Sequence, residues 1–301
     1  MPADSKYDTN VASKGTLFPE VLVKEMFSLV QGHSALAKLA GGIPLAFNGN
    51  EIMTFQMDGE VNLVGENELK STKKIVLDPV KIVPLKVEYG ARISDEFNYA
   101  TEEAQLDILR GWSAGFAKKV ARGLDLMAFH GVNPRTGSAA STLIGTNSFD
   151  TNSDVAAITY TAGYEEDNLE DAIAALGEYV NTGFAFSPAF AAALGKVKVN
   201  GVPQYPEFKL GGRPGTFNGV PCDVNTTVGT ADAAIVGDFA NAFKWGYAKQ
   251  IPLEIIPYGD PDQTGHDLRA YNQLYLRGEA FIGWGILDPA AFARISNSVS
   301  A

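Results

Sequence analysis

The chain has 301 residues, of which 46% are hydrophobic, and it carries a formal net charge of −11 with a pI near 4.8. This length allows one large domain or two modest ones with a sizeable core, and the acidic balance argues against a protein that grips nucleic acid through its phosphates. The single cysteine, Cys222, excludes an intrachain disulfide framework and a cysteine-based zinc site. We find no apolar run of about eighteen residues and no signal-peptide core, so we expect no membrane span and no export.

The first ninety or so residues predict an arm, a helix and a hairpin. Residues 1–16 are polar and aperiodic, which is typical of a flexible arm. Apolar residues recur at helical spacing from Phe18 to Leu39, and the glycines that follow predict the end of this helix. Apolar and polar residues then alternate over Met53–Met57 and over Val83–Tyr89, which predicts two strands. The polar stretch from Asp58 to Lys74 is predicted to be the tip of the hairpin that joins them.

The stretch from Thr101 to His130 predicts a long helix around which the chain is organised. It contains no proline, Thr101 is placed to cap its start, and Gly131 followed by Pro134 predicts its end. At 1.5 Å per residue such a helix is roughly 40 Å long. One apolar stripe runs along it at steps of three or four and forms its predicted core face: Leu109, Trp112, Phe116, Val120, Leu124 and Met127.

The remaining chain predicts a mixture of helices and strands. A linker rich in glycine and serine is expected over residues 131–153, and a long loop over residues 196–219. The closing segment is expected to turn Phe292 and Ile295 inward. The predicted helices are residues 168–180 and 187–194, and the predicted strands are residues 221–226, 233–236, 253–258 and 273–284.

Patterns that would indicate an enzyme are present but weak. Ser113 lies in a G-x-S-x-G sequence, yet that nucleophile elbow needs a strand, a sharp turn and a helix, and Ser113 falls within the predicted helix. The histidines His33, His130 and His266 lie in separate segments without metal-ligand spacing, so we interpret them as structural or surface residues.

Three further patterns have plainer interpretations. Asp260, Asp262 and Gly265 resemble part of a calcium loop, but the expected twelfth-position glutamate is a tyrosine, which favours an acidic turn. The glycine-rich residues 211–215 lack the lysine of a phosphate-binding loop, and Cys222 is interpreted as a small core residue. We therefore predict no cofactor, no metal and no catalytic residue.

The order of the predicted elements resembles the major capsid protein of tailed bacteriophages, the family with the HK97 fold. The resemblance covers residues 16–295 and depends on several short motifs taken in order. These motifs are LDPVKI at 77–82, ARISDEF at 91–97, LDLMAFHG at 124–131, IVGDF at 235–239, RGEA at 277–280 and PAAF at 289–292.

This resemblance implies an α+β fold with an N-terminal arm, an extended β-hairpin called the E-loop, a long spine helix in a peripheral domain, and an α/β axial domain. It divides the chain into residues 1–45 (arm), 46–92 (E-loop), 93–150 with 251–301 (peripheral domain) and 151–250 (axial domain). The E-loop tip would contact a neighbouring subunit through its charged residues Asp58, Glu60, Glu66, Glu68, Lys70, Lys73 and Lys74.

By the same resemblance, the chain would assemble with itself into pentamers and hexamers of an icosahedral shell in the host bacterial cytoplasm. Its further partners would be a portal, a separate scaffolding protein, enclosed double-stranded DNA held without specific binding, and a decoration protein. The family's founding member carries a long N-terminal scaffold segment that is later cleaved, whereas about fifteen polar residues stand here. In that founder an E-loop lysine is joined to an asparagine of a neighbour. Lys70, Lys73 or Lys74 would be the donor here, and no motif identifies the acceptor.

Two alternatives follow from other features. An encapsulin, the shell of a bacterial nanocompartment, shares this fold but usually has a shorter E-loop, so the long polar stretch from Asp58 to Lys74 favours the phage protein. A serine hydrolase that uses Ser113 is the enzyme alternative. A soluble monomer with esterase activity would support the hydrolase, and a large particle would exclude it.

Overall fold

A computed structural model of the chain describes residues 33–57, 61, 63–66, 68, 75–248 and 253–297. The predicted polar arm and the first part of the predicted N-terminal helix lie outside these residues. The described chain is a mixture of helices and sheets, which confirms the predicted α+β class.

The helices and strands are numbered here in chain order. The helices are α1 (Ala35–Leu39), α2 (Glu102–His130), α3 (Ser141–Ile144), α4 (Glu165–Ala175) and α5 (Pro188–Leu194). The first strands are β1 (Gly42–Leu45), β2 (Asn50–Met57), β3 (Ile75–Ile82), β4 (Leu85–Ser94), β5 (Ala156–Thr159), β6 (Gly183–Phe186), β7 (Lys198–Val199) and β8 (Val202–Pro203). The later strands are β9 (Thr216–Phe217), β10 (Val220–Val224), β11 (Asp232–Gly237), β12 (Phe243–Ala248), β13 (Leu253–Ile256), β14 (Gln273–Ile286) and β15 (Phe292–Ser296).

Helix α2 has the length and the ends that the sequence predicts. The Thr101 side chain accepts a hydrogen bond from the backbone N–H of Ala104 at 3.4 Å, which satisfies one of the free amides of the first turn. At the other end Gly131 adopts φ 63° in the left-handed region, a conformation that glycine adopts most readily. The helix spans 29 residues as one continuous element.

The apolar stripe of α2 is buried as predicted, except at Trp112. Trp112 is half-buried and stacks on Phe116 with the ring centroids 5.2 Å apart. It lies between the central core and a smaller cluster that includes Phe97 and Leu109, and it packs against both without being covered fully. The buried members of the stripe are Leu109, Phe116, Val120, Leu124 and Met127.

A five-stranded sheet is built around β14. One edge of β14 pairs antiparallel with β4 from Gln273 to Ile282, and the other edge pairs with β13 and then with β12. Strand β1 extends the sheet by pairing parallel to β12. Leu85–Tyr89 therefore belongs to this sheet, and the prediction that it forms the return strand of the hairpin is wrong. Its alternation arises because one face of β4 packs towards the core.

The return strand of the hairpin is β3, a segment for which the sequence analysis predicts no strand. Strand β3 pairs antiparallel with β2 over its whole length, from Asn50 with Ile82 to Met57 with Ile75. It contains Pro79, a residue that has no backbone N–H and is tolerated mainly on edge strands. A two-stranded hairpin has only edge strands, which explains why proline is accepted there.

A six-stranded sheet in the order β5-β15-β11-β6-β10-β9 forms the second layer, and its centre is buried on both faces. Helices α4 and α5 pack on one face with Phe184, Phe186 and Val236. On the other face Ala185 and Ile235 join the core around α2. This sheet therefore lies between the α4–α5 layer and the long helix.

Several predicted boundaries are wrong. Ser34 has extended backbone (φ −94°, ψ 134°) and caps α1, so a helix continuous from Phe18 to Leu39 is interrupted there. Helix α4 begins and ends earlier than the predicted 168–180, and the predicted loop at 196–219 contains short strands and a 3-10 turn. No strand is predicted over β12, although its aromatic residues Phe243, Trp245 and Tyr247 alternate with smaller or polar residues in a strand pattern.

The two sheets draw on distant parts of the chain. Strand β1 and strand β12 belong to the five-stranded sheet, whereas β15 returns to the six-stranded sheet after β14. The chain therefore passes from the six-stranded to the five-stranded sheet between β11 and β12, and returns between β14 and β15. The domain boundaries at residues 45, 92, 150 and 250 remain a prediction.

The burial along α2 predicts unequal effects of two aromatic truncations. Phe116→Ala should lower the free energy of unfolding of the subunit by about 3–5 kcal/mol, as expected for a fully buried aromatic. Trp112→Ala should cost clearly less, because part of the ring remains in solvent. Urea unfolding of the two variants, followed by circular dichroism, measures the difference. A larger loss for Trp112→Ala would contradict the packing described here.

Candidate assembly surfaces

The hairpin formed by β2 and β3 is attached at its base and open along its edges. In the described part of the chain, these strands pair only with each other. At the base Ile82 is fully buried, and it fills the space beside Gly283 and Gly285 of β14. A Cβ atom at Gly285 would approach Ile82 Cγ1 to 2.8 Å. A side chain at position 285 would therefore displace Ile82 from this packing. The outer edges of β2 and β3 can pair with another chain.

The hairpin tip combines exposed apolar and acidic side chains. Val61 and Leu63 are each 96% exposed, which is unusual for aliphatic residues without a partner. Glu66 and Glu68 are exposed, and the Glu68 carboxylate accepts a hydrogen bond from the Gly65 N–H at 3.0 Å. The other predicted contact residues lie outside the described residues: Asp58, Glu60, Lys70, Lys73 and Lys74.

The outward face of α2 carries two glycines and more basic than acidic residues, and its exposed Asp107 lies one turn before Gly111. A Cβ atom added at Gly111 or at Gly115 would meet no atom within 4 Å. Each glycine within a helix costs about 1 kcal/mol relative to alanine, and nothing in the described subunit compensates for that cost at these positions. The basic residues that flank the two glycines are exposed: Arg110, Lys118, Lys119 and Arg122.

Asp125 anchors the start of the described chain to the middle of the fold. Its carboxylate accepts hydrogen bonds from Ser34 Oγ (2.5 Å), from the backbone N–H groups of Ala35 (2.9 Å) and Leu36 (3.3 Å), and from Thr227 Oγ1 (2.9 Å). Burial raises the pKa of Asp125 to about 6, although these donors oppose the shift. A carboxylate at neutral pH thus holds α1 against α2.

A second buried polar cluster joins the end of α2 to strands β11 and β15 of the six-stranded sheet. The Nε2–H of His130 donates to the Thr227 carbonyl oxygen at 2.7 Å, and Nδ1 lies 2.6 Å from Asp150 Oδ2. The guanidinium of Arg294 lies 3.3 Å from Asp150 Oδ1 and 3.3 Å from Asp232 Oδ1. His130, Asp150 and Asp232 are also close enough together to ligate a metal ion. The Arg294 cation beside both carboxylates favours an ion-pair cluster instead.

The two carboxyl groups of this cluster have pKa values that are shifted in opposite directions. Burial raises the pKa of Asp232 to about 8, and the neighbouring Asp150 adds to the shift. Burial also acts on Asp150, but the hydrogen bond and charge of His130 outweigh it and hold that pKa below its usual value. The pKa of His130 is raised in turn, because Asp150 outweighs the effect of burial. The raised pKa of Asp232 therefore favours its protonated form near neutral pH, whereas the lowered pKa of Asp150 keeps that carboxylate ionised beside His130.

The acidic turn after β13 is neutralised by Arg92 of β4. The guanidinium donates to Asp260 Oδ1 at 2.8 Å and to Asp262 Oδ2 at 2.9 Å. The hydrogen bond and charge of Arg92 lower the pKa of Asp262 to about 2. Asp260 also accepts from the Thr264 and Gly265 N–H groups, so these carboxylates serve the turn and its arginine. This supports the interpretation as an acidic turn rather than a calcium loop.

The remaining candidates for chemistry have structural surroundings. Ser113 lies within α2 and donates to the Leu109 carbonyl at 2.8 Å, so no nucleophile elbow is formed. Cys222 is buried, and burial raises the pKa of its thiol to about 11, as expected of an inert core cysteine. His33 and His266 are exposed and far apart in the chain.

Comparison with known proteins identifies the family. The family model described as the phage capsid family matches residues 14–297 of this chain. The chain belongs to the phage capsid family. A structure from Mycobacterium phage Ogopogo is 30% identical with a TM-score of 0.74, and the match covers 88% of this chain and 92% of that chain. A structure from Gordonia phage Cozz is 25% identical with a TM-score of 0.71, covering 88% and 86%.

More distant structures share the fold. A capsid chain of an empty GTA particle is 17% identical, with a TM-score of 0.65, and the match covers 89% of this chain and 90% of that chain. No curated protein matches the sequence.

The protein is thus a phage major capsid protein with an HK97-like fold, as the sequence motifs predicted. Nothing in these comparisons favours an encapsulin or a serine hydrolase. No helix in the described part of the capsid chain is both long and apolar enough to cross a lipid bilayer.

Sequence reasoning missed the residues that fasten this capsid subunit together. One signal was available for Asp125, which stands alone among apolar neighbours in the sequence GLDLMAF of α2. A buried acid at such a position requires several donors. Asp232 and Arg294 gave no comparable signal, because their partnership depends on the pairing of β11 with β15.

The raised pKa of Asp232 predicts a pH dependence of capsid subunit stability. A carboxyl whose folded pKa lies above its ordinary value of 3.8 contributes stability that is complete below that value and is lost as pH rises to about 8. His130 acts in the same direction above its ordinary pKa of 6.5. In the Asp232→Asn variant, the unfolding free energy should therefore decrease less between pH 3.8 and about pH 8 than it does in the wild type. Urea titrations at several pH values measure this, with exposed Asp154→Asn as the control. An unchanged slope in Asp232→Asn would contradict the assignment.

Proposed function

We propose that this chain is a non-enzymatic shell protein that assembles into pentamers and hexamers of a closed icosahedral capsid around double-stranded DNA. Its membership of the phage capsid family supports the shell, and the β2–β3 hairpin supports the manner of assembly. The hairpin is the single observation that carries the proposal. In the part of the chain that the structure describes, the outer edges of β2 and β3 have no partner strand, and we take a second chain to cover them.

The surface that receives the hairpin is the outward face of α2 in a neighbouring subunit. Eight residues on each strand at about 3.3 Å per residue give an arm of roughly 26 Å before the tip. The exposed Gly111 and Gly115 permit close approach of another backbone, and the adjacent cations suit the acidic Glu66 and Glu68 of the tip. Val61 and Leu63 supply apolar area to such a contact.

The two sheets allow the predicted domains to be assigned to structural elements. We assign the five-stranded sheet with α2 to the peripheral domain, and the six-stranded sheet with α4 and α5 to the axial domain. The partners proposed beyond the chain itself are a separate scaffolding protein, a portal and a decoration protein, with assembly in the host cytoplasm. The net charge of −11 suits a wall that holds DNA without gripping it.

Deletion of residues 59–71 tests the role of the hairpin. The deleted subunit should fold with nearly unchanged stability, because surface loops alter closure entropy only modestly. It should fail to form stable particles, because the reach to a neighbour is lost. Thermal melting of the subunit and particle yield by sedimentation are compared with the wild type. Normal particles would refute the inter-subunit role, and a lost cooperative melt would assign the tip to the subunit core.

Alanine substitutions at the helix glycines test the receiving surface. Gly111→Ala and Gly115→Ala should each raise the unfolding free energy of the subunit by up to about 1 kcal/mol, since alanine favours the helix and the space is empty. Both should nevertheless lower particle yield, because each adds a methyl group where the hairpin approaches.

Gly123→Ala provides the matched control for these substitutions. Its Cβ would meet Pro134 Cγ of the same chain at 3.6 Å, an ordinary contact, so stability should rise without a loss of particles. If Gly111→Ala and Gly115→Ala assemble as well as Gly123→Ala, the close approach at this face is refuted.

A further inference from the structure

The loop that follows α5 carries a positive and partly apolar surface in an otherwise acidic chain. We call residues 196–213 the basic loop. Within it Glu207 is the one acidic residue. Its exposed cations are Lys196, Lys198, Lys209 and Arg213, and its exposed aliphatic residues are Val199, Val202 and Leu210. A surface that mixes cations with exposed aliphatic side chains is suited to contact with a protein.

The backbone of the basic loop presents these side chains outward. Asn200 and Gly201 have positive φ values of 51° and 81°, and they form the two-residue turn between β7 and β8. This turn places Val199 opposite Val202, so the two exposed valines form one apolar surface. Leu210 also has a positive φ of 55°, which is unfavourable for a residue with a Cβ atom, and its side chain is fully exposed. Within the described subunit, no burial of Leu210 offsets that conformation.

The outer face of α4 has the complementary charge. Asp167, Glu170 and Asp171 are exposed on it. Asp167 and Asp171 are four residues apart, a spacing at which like charges destabilise a helix. The helix dipole compensates only for acids in the first turn, so Glu170 and Asp171 gain little from it. In the described part of the chain, neither these three carboxylates nor the four cations of the basic loop form an ion pair.

Helix α4 packs on β5 and β15, and the basic loop leads into β9 at the far edge of the same sheet. Within one subunit the loop still reaches α4, because Tyr205 hydrogen-bonds Glu166, and burial and that carboxylate raise the tyrosyl pKa to about 12. Asp167 and Asp171 lie on a different side of the helix from Glu166 and are exposed. A ring of identical subunits needs two different complementary surfaces on each chain, because every contact runs head to tail.

We propose that the basic loop of one subunit docks on the outer face of α4 in a second copy of the chain. The ion pairs would join Lys198 and Lys209 to Asp167 and Asp171 of the neighbour, with Leu210 at the centre of the contact. This contact rests on the proposed shell function, and it adds which surfaces of the axial domain meet within a ring.

Charge reversal tests the contact. The loop variant carries Lys198→Glu with Lys209→Glu, and the helix variant carries Asp167→Lys with Asp171→Lys. Each should reduce particle yield by about tenfold or more when expressed alone, because like charges then face each other at every contact. Co-expression of the two variants should restore rings with an even number of subunits, because the two chains can alternate there and each loop meets a helix of opposite charge, whereas a five-membered ring cannot alternate.

Co-expression separates a contact between chains from one within a chain. A contact within the subunit would be restored only when both reversals are placed in the same chain. The control, Arg135→Glu with Arg269→Glu, reverses two exposed arginines that form no ion pair in the described part of the chain. Melting of each variant checks that the subunit folds.

The outcomes distinguish the contact from the shell itself. Recovery of mixed hexameric rings on co-expression, with the control assembling normally, supports the docking. Normal particles from either variant alone, or no mixed hexameric rings on co-expression, overturn it, and wild-type particles then leave the shell function standing. If the wild-type chain forms no particle together with its head proteins, the shell function itself fails.

Discussion

Burial of the apolar stripe of α2 is the contact on which the rest of the capsid subunit depends. Leu124 and Phe116 are almost completely buried against a core that both sheets share, so the helix fixes one sheet relative to the other. The two polar clusters reinforce this junction: Asp125 fastens α1 to the helix, and His130 ties its last turn to the loop at Thr227. Because interiors are close-packed, a rigid junction of this kind transmits strain instead of absorbing it. A subunit that must fit a closed shell needs such a frame.

Several features of the described subunit lower the stability of an isolated chain. Among the described residues, the outer edges of β2 and β3 have no partner strand, Val61 and Leu63 are in solvent, and two glycines weaken the outward face of α2. Each feature is unfavourable in an isolated chain and becomes favourable when a neighbour covers it. One explanation covers all three features. The isolated subunit is less stable than it could be, and contacts with neighbouring subunits in the shell supply the missing stabilisation.

Sequence reasoning recovered the parts of this fold that depend on local pattern. The stripe, the Thr101 cap and the Gly131 stop were predictable because helix periodicity and capping act within a few residues. The hairpin return strand was misplaced, since Leu85–Tyr89 alternates for contact with the core, and only the pairing with β14 reveals that. The partners of Arg92 and Asp232 could not be predicted, because residues more than sixty positions away supply them. Trp112 follows the stripe but lies where two clusters meet, which periodicity cannot indicate.

Amide hydrogen exchange of the free subunit and of the assembled particle tests the central claim most directly. If assembly covers the hairpin, the backbone N–H groups along the outer edges of β2 and β3 should exchange rapidly in the subunit and slowly in the particle. The amides of β14, which is paired on both edges, should be protected in both states. Equal protection of the hairpin in the two states would contradict the claim that a neighbouring subunit covers it.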